Sequence, residues 1–249
     1  MVATSLFDNI KQRFEAIPLT DNGRLNDINW TIAAVPLGNG NFWMYQDKNA
    51  SVNYHDNSLN LIIDKFSSSH DHVQIFDNPK QLYLTKSSFK SGSNGLIGFS
   101  CKMKTRIINA DPNDYREGFG AFNVLDFGSG MVFDIISNGS KLWIIYERLF
   151  MPGVTTMDQA FTRVIPINFS VDPELAPNCL IIYDKNSDRA EYYVDDQLAY
   201  IAQNIPVKVE SFQTGFGFIT LLPIESGKSV SCRGQGGHGT WSDFIYYAA

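Results

Sequence analysis

The stretch Gly118-Phe-Gly-Ala-Phe-Asn-Val-Leu-Asp-Phe-Gly-Ser-Gly-Met131-Val-Phe-Asp134-Ile-Ile-Ser-Asn138-Gly139-Ser-Lys-Leu-Trp143-Ile-Ile-Tyr-Glu147-Arg-Leu149 holds three apolar runs separated by two turn signals. Asn-Gly suits a two-residue hairpin turn, because both central residues must adopt positive φ. Read that way, Asn138-Gly139 sets Ile136 opposite Lys141, Asp134 opposite Trp143 and Val132 opposite Ile145. The same geometry at Gly128-Ser129 sets Leu125 opposite Val132 and Asn123 opposite Asp134. Successive strand side chains point to opposite faces. One face therefore carries Phe122, Val124, Met131, Phe133, Ile135, Leu142, Ile144 and Tyr146, an apolar surface that must pack on a second sheet. The other carries Asn123, Leu125, Val132, Asp134, Trp143, Ile145 and Glu147, mixing polar and aromatic groups in the manner of a ligand surface. One extra residue in either turn would exchange the two faces.

The same rhythm extends through the 249 residues. From Asn41 onward, runs rich in Val, Ile, Phe, Tyr and Trp alternate with Asn, Asp, Gly, Ser and Pro at intervals of about ten residues. Many strands without crossover helices predict an all-β, antiparallel two-sheet sandwich. Leu6, Ile10 and Phe14 form a helical stripe, so a short N-terminal helix is expected within 1–16, with the sandwich filling 17–249 as a single domain. Twenty Lys and Arg against 26 Asp and Glu leave a charge of −6, without the basic patches that nucleic acid requires. No apolar run is long enough to span a membrane, and Asp8, Lys11 and Arg13 stand where a secretory signal would be apolar. A soluble, cytoplasmic protein is expected, with neither nucleic acid nor membrane as partner.

The segment Gly118–Leu125 followed by Met131–Ser137 resembles the central strands of the concanavalin A-like lectin/glucanase superfamily, and Ala190–Leu198 is similar to a late hairpin of those proteins. The resemblance implies a jelly-roll sandwich with one concave, ligand-carrying sheet. Retaining glucanases of the superfamily use Glu-x-Asp-x-x-Glu, whose two glutamates act as nucleophile and acid/base at about 5 Å separation. Laid on this chain the motif becomes Val132-x-Asp134-x-x-Ser137. Neither Val nor Ser can form the glycosyl ester and then protonate the leaving oxygen, so double displacement is not available there.

Glu147 is the sharpest catalytic candidate. It shares a face with Asp134 and Trp143 beside Ile145, and apolar neighbours raise a carboxyl pKa toward the range useful for proton transfer. The competing reading is a salt bridge, for instance with Arg116. Asp134 either orients a ligand or Glu147, or hydrogen-bonds Asn123 across the strands. Trp143 offers either a stacking platform or core packing. His70-Asp71-His72 puts two imidazoles on one side of a strand; no third metal ligand is spaced to join them, and His72 stands as a candidate general base. Asp184-x-Asn186-x-Asp188, with Asp195 at the twelfth position, reads as a calcium loop or a polar turn, and Asp111, Asn113 and Asp114 read the same two ways. Cys101, Cys179 and Cys232 lack zinc or redox spacing and read as buried thiols. Gly234–Gly239 reads as a flexible loop or lid, since no Lys-Ser/Thr of a phosphate loop follows.

The expected function is a cofactor-independent enzyme of small-molecule metabolism, of the cyclase, isomerase or condensing type. Glu147, Asp134 and His72 would act beside Asn123, Trp143, Ile145 and Arg116 on an apolar, aromatic or sugar ligand. The alternative is a carbohydrate-binding module in which Asn123, Asp134 and Trp143 hold a sugar without chemistry. No cofactor is called for beyond structural calcium, should the oxygen-rich loops be calcium loops and not turns.

Overall fold

The computed structural model describes residues 15–16, 25–38, 40–68, 78–169, 172, 175–222, 224–226, 228–229 and 231–249. In chain order the strands are β1 (Glu15–Ala16), β2 (Trp30–Ile32), β3 (Ala34–Gly38), β4 (Asn41–Met44), β5 (Ala50–His55), β6 (Ser58–Ile63), β7 (Pro79–Thr85), β8 (Phe89–Lys90), β9 (Leu96–Ile108) and β10 (Phe119–Asp126). They continue as β11 (Met131–Ser137), β12 (Leu142–Arg148), β13 (Phe161–Pro166), β14 (Asn178–Asp184), β15 (Arg189–Val194), β16 (Gln197–Gln203), β17 (Ser211–Ile219), β18 (Ile224–Glu225), β19 (Lys228–Ser229) and β20 (Gly236–Ala248). A 3-10 turn, Tyr115–Glu117, precedes β10.

Two eight-stranded antiparallel sheets stack face to face. The first runs β16-β15-β14-β9-β20-β6-β5 with β1 on β20; the second runs β13-β12-β11-β10-β17-β7-β2 with β8 on β17. Strands far apart in sequence are neighbours in both, as a jelly roll requires. The expected apolar face is the core between them: Phe122, Val124, Met131, Phe133, Ile135, Leu142, Ile144 and Tyr146 meet Phe99, Met103, Ile181, Tyr183, Trp241 and Phe244 from the first sheet. Aromatic rings interlock there, with Trp30 stacked on Phe216 at 4.7 Å between centroids and Phe133 on Tyr146 at 5.9 Å.

The register departs from expectation at one turn. Gly128-Ser129 sits where expected, with Asp126 opposite Met131 and Asn123 opposite Asp134. At Asn138-Gly139 the pairing is Ser137 with Leu142, so Asp134 faces Ile145, Ile136 faces Trp143 and Val132 faces Glu147. The Asn138 side chain accepts from the backbone N–H groups of Ser140 and Lys141, which widens the turn to four residues. The slip is two residues, one full side-chain period, so both faces keep their members.

Two other expectations are corrected. Glu15 and Ala16, the end of the expected helix, are extended and pair with Ala248 and Tyr247; residues 5–14 of that helix lie outside the described residues. Gly236–Gly239 is no lid but the start of β20, paired with both β9 and β6. Its glycines are packing positions: a Cβ on Gly237 would stand 2.8 Å from the Phe218 ring, and one on Gly236 2.4 Å from the Asp64 carbonyl oxygen.

Candidate functional site

The polar face of β10, β11 and β12 looks away from the inter-sheet core and belongs to a second apolar cluster. Leu125, Val132, Ile136, Trp143 and Ile145 pack there with Ala33, Tyr45, Leu149 and Leu221, and Tyr115 lies against them. Trp143 is covered, its ring 5.7 Å from that of Tyr115, so the 3-10 turn before β10 roofs the indole. Asn123, Asp134 and Glu147 are buried among these apolar groups at 3, 0 and 1 % exposure.

Asp134 and Glu147 are diagonal neighbours on one face, because Asp134 pairs with Ile145 and Glu147 with Val132. Such pairs stand about 7–8 Å apart at the backbone, within reach of long side chains. Burial, and after it the negative charge of Glu147, push the Asp134 carboxyl well above its ordinary value of 3.8; the backbone N–H of Val124 offsets part of that rise. Among the described residues neither Oδ1 nor Oδ2 of Asp134 has a hydrogen-bond partner of ordinary geometry. Glu147 Oε1 accepts a 2.6 Å hydrogen bond from Thr162 Oγ1. Thr162, on the exposed edge strand β13, is open to solvent and connects the buried carboxyl to the surface.

The structure brings Asn123, Asp134, Trp143, Ile145 and Glu147 onto one face and leaves the other candidates elsewhere. Asn123 donates its side-chain amide to the Gly215 carbonyl at 3.2 Å, turned from Asp134 toward β17. The Arg116 guanidinium is held by Asp114, with contacts of 2.8 and 2.7 Å, so the salt bridge considered for Glu147 is replaced by a local surface pair. His72 and His70 lie outside the described residues. The oxygen-rich loops are turns: Asp184 accepts from the backbone of Asn186 and Ser187, and Asp111 from that of Asn113. Among the described residues no group of three or more His, Cys, Asp or Glu could hold a metal ion. Thr162, Tyr115 and Tyr45 were not singled out from the sequence. The twelve residues separating β12 and β13 conceal that Glu147 faces Thr162.

A family model described as "Family of unknown function (DUF6081)" matches residues 25–245. The chain belongs to DUF6081. No curated protein matches it. Solved structures of similar shape include an endo-1,3-β-glucanase from Streptomyces sioyaensis, 11% identical over 92% of each chain with a TM-score of 0.55. The endo-β-1,3-glucanase from Pyrococcus furiosus is 13% identical over 90% of this chain and 91% of its own, with a TM-score of 0.52. The Crh5 transglycosylase in complex with NAG is 9% identical over 91% of this chain and 81% of its own, with a TM-score of 0.54. Identities this low speak for the fold alone, the concanavalin A-like jelly roll of the β-glucanases. Val132 and Ser137, the positions that the sequence resemblance set against the motif's glutamates, lie on opposite faces of an unbulged β11. Val132 is 1% exposed in the apolar cluster, and Ser137 Oγ accepts from the Gly139 backbone N–H at 3.0 Å. The carboxyl beside Asp134, Glu147, comes from the neighbouring strand, directly across from Val132. Among the described residues no helix is long and apolar enough to cross a membrane.

Proposed function

We propose that this DUF6081 chain is a cofactor-independent catalyst of small-molecule chemistry, of the cyclase, isomerase or condensing type, and not a glycoside hydrolase. Asp134 and Glu147 work as an acid–base pair against an apolar or sugar-like ligand held on the β10–β12 face. The observation that carries this reading is the Asp134 carboxyl, fully buried, close enough to a second carboxyl to feel its charge, and lacking a hydrogen-bond partner of ordinary geometry among the described residues. An unsatisfied buried polar group costs about 1–3 kcal/mol, and a catalytic role is one of the reasons a folded protein keeps such a group. Two neighbouring carboxyls, one of which holds its proton above the ordinary range, can supply the donor and the acceptor that proton transfer requires.

Asp134, holding its proton above the ordinary carboxyl range, is the donor, and Glu147 is the acceptor. Thr162 steadies the Glu147 oxygen and provides the route by which its proton equilibrates with water. Tyr45, Tyr115 and Leu149 form the apolar cover that must part for a ligand to enter and that keeps water out once it is seated. The covered position of Trp143 favours an enclosed catalyst over an open sugar-stacking platform.

The test does not require the natural substrate to be identified. Aromatic and sugar-like compounds that raise the melting temperature are incubated with the protein in D₂O, and wash-in of deuterium at ligand carbon is followed by NMR. Wild type should catalyse exchange into a stabilising ligand, whereas Glu147→Gln should still bind it and lose the exchange. Equal exchange by the variant would defeat the assignment, as would its absence for every stabilising ligand.

A further inference from the structure

Far from the carboxyl pair, a second cluster of reactive groups gathers around one backbone carbonyl. Lys80 is fully buried on β7, at a bulge where Gln81 pairs with Phe218 and Pro79 with Ile219, leaving Lys80 as the extra residue. Bulges re-aim a side chain out of the ladder. Lys80 Nζ donates to the Ser68 carbonyl oxygen at 2.6 Å and to Ser231 Oγ at 2.9 Å. Cys232 Sγ donates to the same Ser68 oxygen at 2.9 Å, so amine and thiol converge on one acceptor. Asp47 is buried nearby. Its carboxylate accepts from the backbone of Asn49, Ser67 and Ser68 and from Ser67 Oγ, which fixes the segment that presents the carbonyl.

We propose that Cys232 and Lys80 form a hydroperoxide-reactive site whose oxidised product is a sulfenamide bond between Sγ and Nζ. The contrast among the cysteines supports it. Cys101 and Cys179 face each other across β9 and β14 at 0 % exposure, their thiols pushed up by burial, whereas Cys232 is only partly buried. In the first step the thiol sulfur attacks the hydroperoxide, the O–O bond breaks, and a sulfenic acid and an alcohol (water, for hydrogen peroxide) form. In the second, the neutral Lys80 amine attacks that sulfur. The S–O bond breaks, its oxygen leaves as water with an amine proton, and an S–N bond remains. Sulfur is oxidised by two electrons and the peroxide is reduced by two. Burial lowers the Lys80 pKa to about 8, against the raising influence of Cys232 and Asp47, so a share of the amine is neutral and nucleophilic near physiological pH. The bond would tie β7 to the segment before β20, closing a long loop of chain.

The experiment treats the full chain with near-stoichiometric hydrogen peroxide and measures intact mass, followed by peptide mapping. The expected product has lost two hydrogens, yields a cross-linked peptide pair carrying Lys80 and Cys232, reverts with dithiothreitol and melts at a higher temperature. Lys80→Gln should stop at a sulfenic acid that dimedone traps, and Cys232→Ser should show no such product. Mapping of the wild-type protein decides the matter even where a variant fails to fold. A dimedone-reactive Cys232 without a cross-link in wild type overturns the proposal. So does a bridge that retains oxygen, a Cys101–Cys179 disulfide as the product losing two hydrogens, or an unmodified Cys232.

Discussion

Replacing Asp134 by Asn keeps the shape of the side chain and removes its titration, which turns the buried carboxyl into a measurable pH dependence. In the unfolded chain Asp134 ionises near 3.8; in the fold, burial and the Glu147 charge hold the proton to a much higher pH. Between those two values the native state binds one proton more than the unfolded state, so stability falls as pH rises. The contribution is complete below pH 3.8, declines as the unfolded chain ionises, and is exhausted once the pH passes the folded value. One proton corresponds to about 1.4 kcal/mol per pH unit. Urea unfolding of wild type and Asp134→Asn at half-unit steps from about pH 4 to 8 isolates the titration of the Asp134–Glu147 pair, because the groups outside it are shared. The wild type should lose about that much per unit relative to the variant, and Asn should be the more stable of the two at the upper end. In a Glu147→Gln background the decline should end at a lower pH, since the opposing charge is gone. Parallel curves for wild type and Asp134→Asn would show that Asp134 titrates alike in both states, and the acid–base assignment would lose its footing.

Thr162→Val removes the hydroxyl that donates to Glu147 while keeping a β-branched strand former. It should cost about 1 kcal/mol by chemical denaturation and slow any ligand exchange that Glu147 supports. Gly237→Ala should destabilise by about 1–3 kcal/mol, because the new methyl meets the Phe218 ring inside the sandwich, whereas a flexible lid would tolerate it. Trp241→Ala, in the aromatic core between the sheets, should lose about 3–5 kcal/mol and lower the thermal midpoint sharply.

The sequence discloses faces more readily than distances. Alternation has a period of two, so the slip at Asn138-Gly139 changed the partners of Asp134 and Trp143 while leaving both on the polar side. The inter-sheet face of β10–β12 was legible residue by residue for the same reason. Packing glycines were not. Gly236, Gly237 and Gly239 look like turn residues until the Phe218 and Trp241 rings and the Asp64 carbonyl that need their missing Cβ are known, and most of those contacts come from residues remote in sequence. The cover over Trp143 escaped for a similar cause. Tyr115 approaches from the 3-10 turn before β10, and nothing local to it announces the indole beneath.

The position of Glu147 connects fold and chemistry. A retaining glucanase draws both catalytic carboxyls from one strand, at the spacing that lets one attack the sugar carbon while the other protonates the leaving oxygen. In this chain the carboxyl beside Asp134 comes from the neighbouring strand, β12, and is tethered to Thr162 at the sheet edge. Proton exchange asks less of such a pair than nucleophilic attack does: a donor that resists ionisation, an acceptor near it, and a dry enclosure. Under the proposed reading, Asp134 would be that donor, Glu147 that acceptor, and the apolar cluster around them that enclosure. Placing glutamate at Val132 alone should therefore create no glucanase activity on β-1,3-glucan. It would add a third carboxyl to an already crowded apolar cluster, and the fold should lose stability at neutral pH. Hydrolysis by Val132→Glu would show that the enclosure opens to a polysaccharide, which is the one condition the small-molecule reading forbids.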